Sequence, residues 1–508
     1  MDNQLTFWDK TKFYTVVGVG FFADGWANND IGLLTPLIGY VYFKENGDAI
    51  PTSQAGAIKG GVKIGMLLGQ IIFGFLGDTL GRHKIYGREL FFAIFGLLMC
   101  TFTPWKGLNG DGLVAWLTVG RLITGLGLGG DYPMSAALAL EKAEPNARAR
   151  VVMWTFFSQA LGYFSSGIAY LIALRAFQNS IEANVDYLDY VWRIVMGLPL
   201  IPCILMIYPR FAMQESVPYQ KYVRHVDGNS EDVPAPRTFS DQMRDFRVYF
   251  WNWRHAASIF SASAVWFIFD ICQNGIVLNQ TIILKGIGYS KGHTIYQTLW
   301  NAGVGNIIVI IAGYLPGFIL GNLALEWLPR RVQQAGSSLI IGVLYAVWAG
   351  VTDTAAIGGL LALFTVVQFL QNAGPNTTAF LLPIELFPTR VRGTSHGIVA
   401  AAGKLGAIIT AFGFGNTQEA IGMKGVMGMF AGLSFFIVLL TGLVPETKGY
   451  SLEDVENDVI YKKKLLSIHG RDLETFPTGD WASTEESGSK GLTKTATVGF
   501  DDTKPQPL

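Results

Sequence analysis

Runs of about 20 mostly apolar residues, the length a helix needs to cross a bilayer, recur along nearly the whole of this chain. They fall at roughly 13–40, 57–77, 88–105, 113–139, 151–174 and 192–209, then again at 255–281, 295–319, 335–351, 357–382, 394–414 and 425–444. Backbone polar groups in hydrocarbon must be satisfied within the protein, so runs of this length predict helices. Only 15% of the 508 residues are charged, against about 25% in a soluble domain. A water-soluble globule of this composition would expose large apolar patches and aggregate. The expected fold is an all-α membrane protein with twelve transmembrane helices.

Several classes of protein are excluded at once. With 38 basic and 38 acidic residues, the chain lacks the charge of a nucleic-acid binder. Cys100, Cys203 and Cys272 all sit inside apolar runs and suggest neither disulfides nor a zinc cluster. None of the six histidines pairs with another at metal-ligand spacing, so neither metal nor cofactor is expected. The first run is too long for a cleavable signal.

A charged interval at 210–254 divides the runs six and six. The expected organisation is an N-terminal six-helix bundle (1–209), a central cytoplasmic loop (210–254), a C-terminal six-helix bundle (255–448) and a polar cytoplasmic tail, largely disordered (449–508). Arg82, Lys84, Arg88, Lys142, Arg148, Arg150, Arg330, Arg331, Arg390 and Arg392 fall on one side, while the other has scattered charges such as Lys44, Lys106, Arg175 and Lys424. The basic side is expected to be cytoplasmic, with both termini there. The halves also repeat. Glu141 to Arg150 after the fourth run is matched by Glu385 to Arg392 after the tenth, and Gln214 to Tyr219 after the sixth by Pro445 to Tyr450 after the twelfth. Such repetition is how transporters place one site between two pseudo-symmetric bundles.

Three patterns imitate soluble enzymes. Gly18-x-Gly20-x-x-Ala23 and Gly125-x-Gly127-x-x-Gly130 satisfy a dinucleotide fingerprint but lie inside apolar runs, with no preceding strand. Close helix packing through small residues explains them better. Gly393-Thr394-Ser395-His396-Gly397 imitates a nucleophile elbow without a sheet to present the serine. No enzyme is expected.

Charges inside the membrane are costly and therefore functional candidates. Asp24 and Asp30 lie in the first run, Lys59 and Lys63 in the second, Asp131 in the fourth, Asp270 in the seventh and Lys404 in the eleventh. For Asp30 and Lys59, near the outer ends, pairing that merely holds helices together is the competing reading. Trp266, Asp270 and Asn274 are four apart and share one helix face, which offers an aromatic, an acid and an amide to an oxygen-rich ligand. Gly374-Pro375-Asn376-Thr377-Thr378 should break the tenth helix and expose polar groups, and Gln159 adds an amide in the fifth.

Gly74-x3-Asp78-x2-Gly81-Arg82-His83-Lys84 resembles the loop motif of the major facilitator superfamily, and Arg121-x3-Gly125-x-Gly127 resembles its second motif. Glu326, Pro329, Arg330 and Arg331 form a degenerate second-half counterpart. Asp78, Gly81, Arg82 and Arg121 are thereby the expected conformational residues. Gly129-Gly130-Asp131-Tyr132-Pro133-Met134-Ser135 resembles the signature of the fungal and plant phosphate:proton symporters within that superfamily, and the likeness runs from the first span to the PETKG segment. The resemblance implies the major facilitator fold and phosphate held between the halves by Tyr132, Gln159, Trp266, Asp270 and Asn376. It further implies proton movement through Asp24 and Asp131, and charge compensation and substrate release by Lys404.

The chain departs from that pattern. Ala27 stands where the family has a second acid, with Asn28 one turn after Asp24. Asn274 replaces a tyrosine, and Lys63 adds a positive charge. The expectation is proton-coupled import of inorganic phosphate across the plasma membrane by alternating access. A protonated Asp270 would donate to a phosphate oxygen. Two rivals are a glycerophosphodiester or other organic phosphate carrier, and a phosphate-sensing receptor. The expected partners are phosphate, protons and the lipid bilayer.

Overall fold

The computed structural model describes residues 7–104, 108–144, 147–213, 215–223 and 238–461. Lys106, Gln214 and the tail from residue 462 lie outside the described residues, as do Pro145 and Asn146 of the first repeated loop. Among the described residues the secondary structure is helical throughout. The spans are α1 (Phe7–Tyr42), α2 (Thr52–Leu80), α3 (Glu89–Thr101), α4 (Gly110–Lys142), α5 (Arg148–Ala176) and α6 (Val185–Phe211). They continue as α7 (Trp253–Val277), α8 (Ile295–Trp327), α9 (Arg330–Val351) and α10 (Ile357–Leu386). The last helical stretch, Arg392–Thr441, contains α11 (392–421) and α12 (423–441).

That makes twelve crossings, although only nine described helices are long and apolar enough to count as spans by length and hydropathy. The shortfall has physical causes. Asp24, Asn28, Asn29 and Asp30 dilute the apolar character of α1, and α3 is only 13 residues long. The last two spans run together, turned at Gly422, whose φ of 68° is left-handed and open to glycine at no steric cost.

Polar residues at the helix starts set the boundaries. Asn109 caps α4, Asn252 caps α7 and Thr294 caps α8, each accepting from a backbone N–H two or three residues on. Pro316 removes one backbone donor from α8. The preceding turn, Ile310–Tyr314, loosens to a π-helix and turns Tyr314 into the protein, where Gln368 donates to its hydroxyl at 2.7 Å. α10 breaks at Gly374 and resumes at Pro375. Gly125 and Gly129 lie against the carbonyls of Val62 and Met66, where any Cβ would stand 2.1–2.3 Å from oxygen. The glycines of the dinucleotide-like pattern are likewise packed against neighbouring helices, Gly127 on Glu89 and Ala93 of α3 and Gly130 on Phe73 of α2.

One end of the bundle carries the α2–α3, α4–α5, α8–α9 and α10–α11 loops and is called the basic end here. The interval 210–254 is partly helical, with helices at Val217–Tyr222 and Phe239–Phe250, the second closed by a capping box between Thr238 and Asp241. The start of the tail is also structured. A second capping box, Ser451 with Asp454, opens helix Leu452–Glu456, and Leu452, Val455 and Ile460 are buried.

Candidate functional site

Six spans, α1, α4 and α5 from one half and α7, α10 and α11 from the other, bring polar groups to the middle of the bundle. Asp24 on α1 is fully buried and accepts three hydrogen bonds: from the Tyr132 hydroxyl at 2.5 Å, Gln159 Nε2 at 2.6 Å and Asn28 Nδ2 at 3.0 Å. Lys404 Nζ donates to Asp270 Oδ2 at 2.9 Å, both side chains being nearly inaccessible. The same ammonium stands 5.5 Å from the Tyr132 ring centre, so cation–π attraction joins the two halves here. Trp266, Asp270 and Asn274 are buried along one face of α7. Asn376, partly buried below the break in α10, donates to Asn372 at 2.9 Å.

An aromatic layer closes this cluster toward the basic end. Phe156 of α5 stacks on Phe380 of α10 at 4.1 Å with the rings 6° from parallel, and Phe21, Tyr132 and Trp266 meet Phe380 edge to face. Toward the far end the halves enclose a cavity of about 420 Å³ lined by Lys59, Tyr170, Asn279 and Thr281, with exposed Asp48, Lys285 and Glu419 at its mouth.

Asp131 lies apart from this cluster. It is ion-paired with fully buried Arg210 of α6, which also pairs with Glu89 at 2.8 Å and stacks over Tyr86 at 4.5 Å. Neither Arg210 nor Glu89 stands out in the sequence. Each lies at the edge of an apolar run and reads as loop charge, so only the apolar runs on both sides hinted at burial. Asp30 faces Arg121 at 3.8 Å, not a lysine, while Lys59 donates to Asn279 at 2.8 Å. Arg121 also donates to the carbonyls of Ile58 and Ala27, tying α4 to α2 and α1.

At the basic end Asp78, Gly81 and Arg82, three of the four residues expected to be conformational, belong to a clamp between the halves, while Arg121 lies apart from it. Asp78, at the end of α2, accepts from the backbone N–H of Gly393 at 3.1 Å and of Thr394 at 2.7 Å, and from the Thr394 hydroxyl at 2.8 Å. A carboxylate at a helix N-terminus satisfies donors with no intrahelical partner and meets the positive end of the dipole. Gly393 and Thr394 thus receive an acid, and the nucleophile-elbow imitation is the start of a helix. Gly81 (φ 102°) turns the chain so that Arg82 returns to Asp78 at 3.3 Å and reaches Glu141 at 3.0 Å. Glu141 in turn holds Arg392 at 3.1 Å. The repeated loops meet the tail segment, where the Thr389 N–H donates to Glu456 at 2.6 Å.

The profile of the family described as sugar (and other) transporters matches residues 14–459. The chain belongs to that family. Among curated relatives of this transporter, a putative inorganic phosphate transporter of Schizosaccharomyces pombe is 32% identical, over 93% of this chain and 91% of its own. The inorganic phosphate transporter PHO84 of Saccharomyces cerevisiae is 31% identical over 90% and 85%, and a probable inorganic phosphate transporter of Arabidopsis thaliana 29% over 90% and 95%. In three dimensions this family member resembles the major facilitator superfamily proton:xylose symporter XylE bound to 6-bromo-6-deoxy-D-glucose, with a TM-score of 0.69 at 18% identity, over 88% of this chain and 98% of that one. At that identity the likeness speaks for the major facilitator fold alone. Membership of the transporter family makes the protein a multi-pass membrane transporter and not an enzyme.

Proposed function

We propose that this transporter imports inorganic phosphate together with protons by alternating access, in the plasma membrane and with its basic end and both termini in the cytoplasm. The relatives' names support the cargo, and the positive-inside bias of the loops supports the orientation. The observation that carries the reading is the central cluster, where Asp24, Tyr132 and Gln159 of one half face Asp270 and Lys404 of the other.

These contacts suggest how proton and anion assist each other. As a carboxylate, Asp24 occupies the hydroxyl of Tyr132 and the amide of Gln159. Once protonated it needs fewer donors, which frees both groups for phosphate oxygens. Asp270 neutralises Lys404 across their 2.9 Å contact. An anion arriving at Lys404 would repel an ionised Asp270, whereas a protonated Asp270 donates to it. Each ligand then raises the affinity for the other, which is coupling in thermodynamic terms. In this proposal Trp266, Asn274 and Asn376 complete the substrate wall. Asp131 belongs to the proton path on the basic side, engaged when its pairing with Arg210 opens. Residues 1–209 and 255–448 rock as two bodies about the site.

Uptake of labelled phosphate in cells lacking their own carriers tests this reading. Uptake should rise at acid external pH, collapse with an uncoupler and resist competition by glycerophosphocholine. Phosphate uptake indifferent to pH and uncoupler would sink it, and preferential competition by glycerophosphocholine would move the cargo to organic phosphates.

A further inference from the structure

Both cations of α2, Lys59 and Lys63, are buried without a counter-ion among the described residues. Lys63 is fully buried, and among the described residues its ammonium makes one hydrogen bond, to Asn28 Oδ1 at 2.5 Å, with no carboxylate in ion-pair contact. Lys59, one turn away on the same face, likewise has one hydrogen bond, to Asn279, and no acidic partner among the described residues. The nearby acids are already engaged. Asp24 holds Tyr132, Gln159 and Asn28; Asp270 holds Lys404; Asp30 faces Arg121. A buried charge is ordinarily paired, because desolvation without a partner is expensive. Each ammonium has three donors and uses one.

Their placement is as informative as their isolation. Lys59 lines the floor of the 420 Å³ cavity that reaches the far surface. Lys63 lies about 6 Å deeper by helix rise and within electrostatic range of Asp24, Asp270 and Lys404. Asn28 fixes the inner end of this route. Its amide donates to Asp24 and its carbonyl accepts from Lys63, so both faces of the amide are specified and the ammonium is held at the edge of the central cluster.

We propose that Lys59 and Lys63 form an anion-binding station on the outer side of the central site, Lys59 capturing a phosphate anion from the cavity and Lys63 passing it to Lys404. The step is non-covalent: the anion supplies the missing counter-charge and fills the unused donors. Phosphate as the ion rests on the function proposed above; the station itself rests on the two unpaired ammoniums and the cavity.

The test uses the full-length purified protein, by thermal unfolding across a phosphate titration and by phosphate uptake into proteoliposomes. Lys63→Met should leave the unfolding temperature without phosphate unchanged or raised, since a lone buried charge is removed. It should also abolish most of the phosphate-induced shift and raise KM by about tenfold or more, the scale of one lost charge-assisted hydrogen bond. Lys63→Arg should keep KM near the native value, and Lys59→Met should lower uptake chiefly at low phosphate. A Lys63→Met protein with native KM and native phosphate-induced shift overturns the station. So does one that loses stability without phosphate while its KM is unchanged, which marks Lys63 as structural. If the native protein responds to sulfate or glycerophosphocholine instead of phosphate and Lys63→Met abolishes that response, the station stands and the phosphate reading falls. If no anion stabilises the native protein, both fall.

Discussion

Asp78→Asn should open the basic end. The native carboxylate takes two hydrogen bonds from Thr394 on Oδ2, and one from Gly393 plus the Arg82 contact on Oδ1. Asparagine keeps one acceptor oxygen. With that oxygen toward Gly393, its NH2 group faces the Thr394 N–H, whose bond is lost, the Thr394 hydroxyl can only turn to accept from the amide, and every remaining bond loses its charge assistance. Hydrogen bonds to charged groups contribute about 1.5–3 kcal/mol each, but water enters as the clamp parts and refunds some of that. A net bias of about 3 kcal/mol toward the open state is a reasonable figure, and at about 1.4 kcal/mol per decade it shifts the open-to-closed ratio roughly a hundredfold. Thr394→Val removes only the hydroxyl bond and should move the ratio by about tenfold or less.

Spin labels can read this ratio. Leu80 at the end of α2 and Trp327 at the end of α8 are exposed, on opposite halves at the same end, and the three native cysteines are buried. Cysteines at those two positions, labelled in nanodiscs, should give one short-distance population in the native background. Asp78→Asn should add a longer one, with Thr394→Val intermediate. A correctly folded Asp78→Asn protein with an unchanged distance distribution would refute the clamp.

Arg210→Met leaves Glu89 and Asp131 buried without their cation, so thermal unfolding should show a loss of about 3–5 kcal/mol; adding Glu89→Gln should restore part of it, a non-additivity that a double-mutant cycle measures. Phe380→Ala removes the ring stacked on Phe156 at 4.1 Å, a core truncation of about 3–5 kcal/mol. It should also admit water to the site, seen as proton leak through proteoliposomes without phosphate. Tyr132→Phe deletes a donor to Asp24, and under the proposed coupling it should raise the phosphate KM by about tenfold, with unfolding temperature as the control for folding.

How much of this was legible in the sequence depended on what physics demanded of each residue. The twelve spans could be read because hydrocarbon imposes apolar length on each one independently. Even α1, diluted by Asp24, Asn28, Asn29 and Asp30, and the last two spans, which the structure runs together through Gly422, were legible in this way. That Asp24, Asp270 and Lys404 would each need a partner was also legible, since a charge inside the membrane is costly wherever it ends up. Which charge answers which was not, because pairing depends on the heights at which helices cross. Asp30 met Arg121 and not Lys59, and Asp131 met an arginine 79 residues away that read as loop. The same dependence makes Lys63 informative. A lysine paired with an aspartate is explained by helix contact, whichever aspartate that is. A lysine beside an engaged aspartate, bonded only to an amide, has no such explanation among the described residues. Under the proposed station the counter-charge is an anion, and the cavity floored by Lys59 is the route by which it arrives.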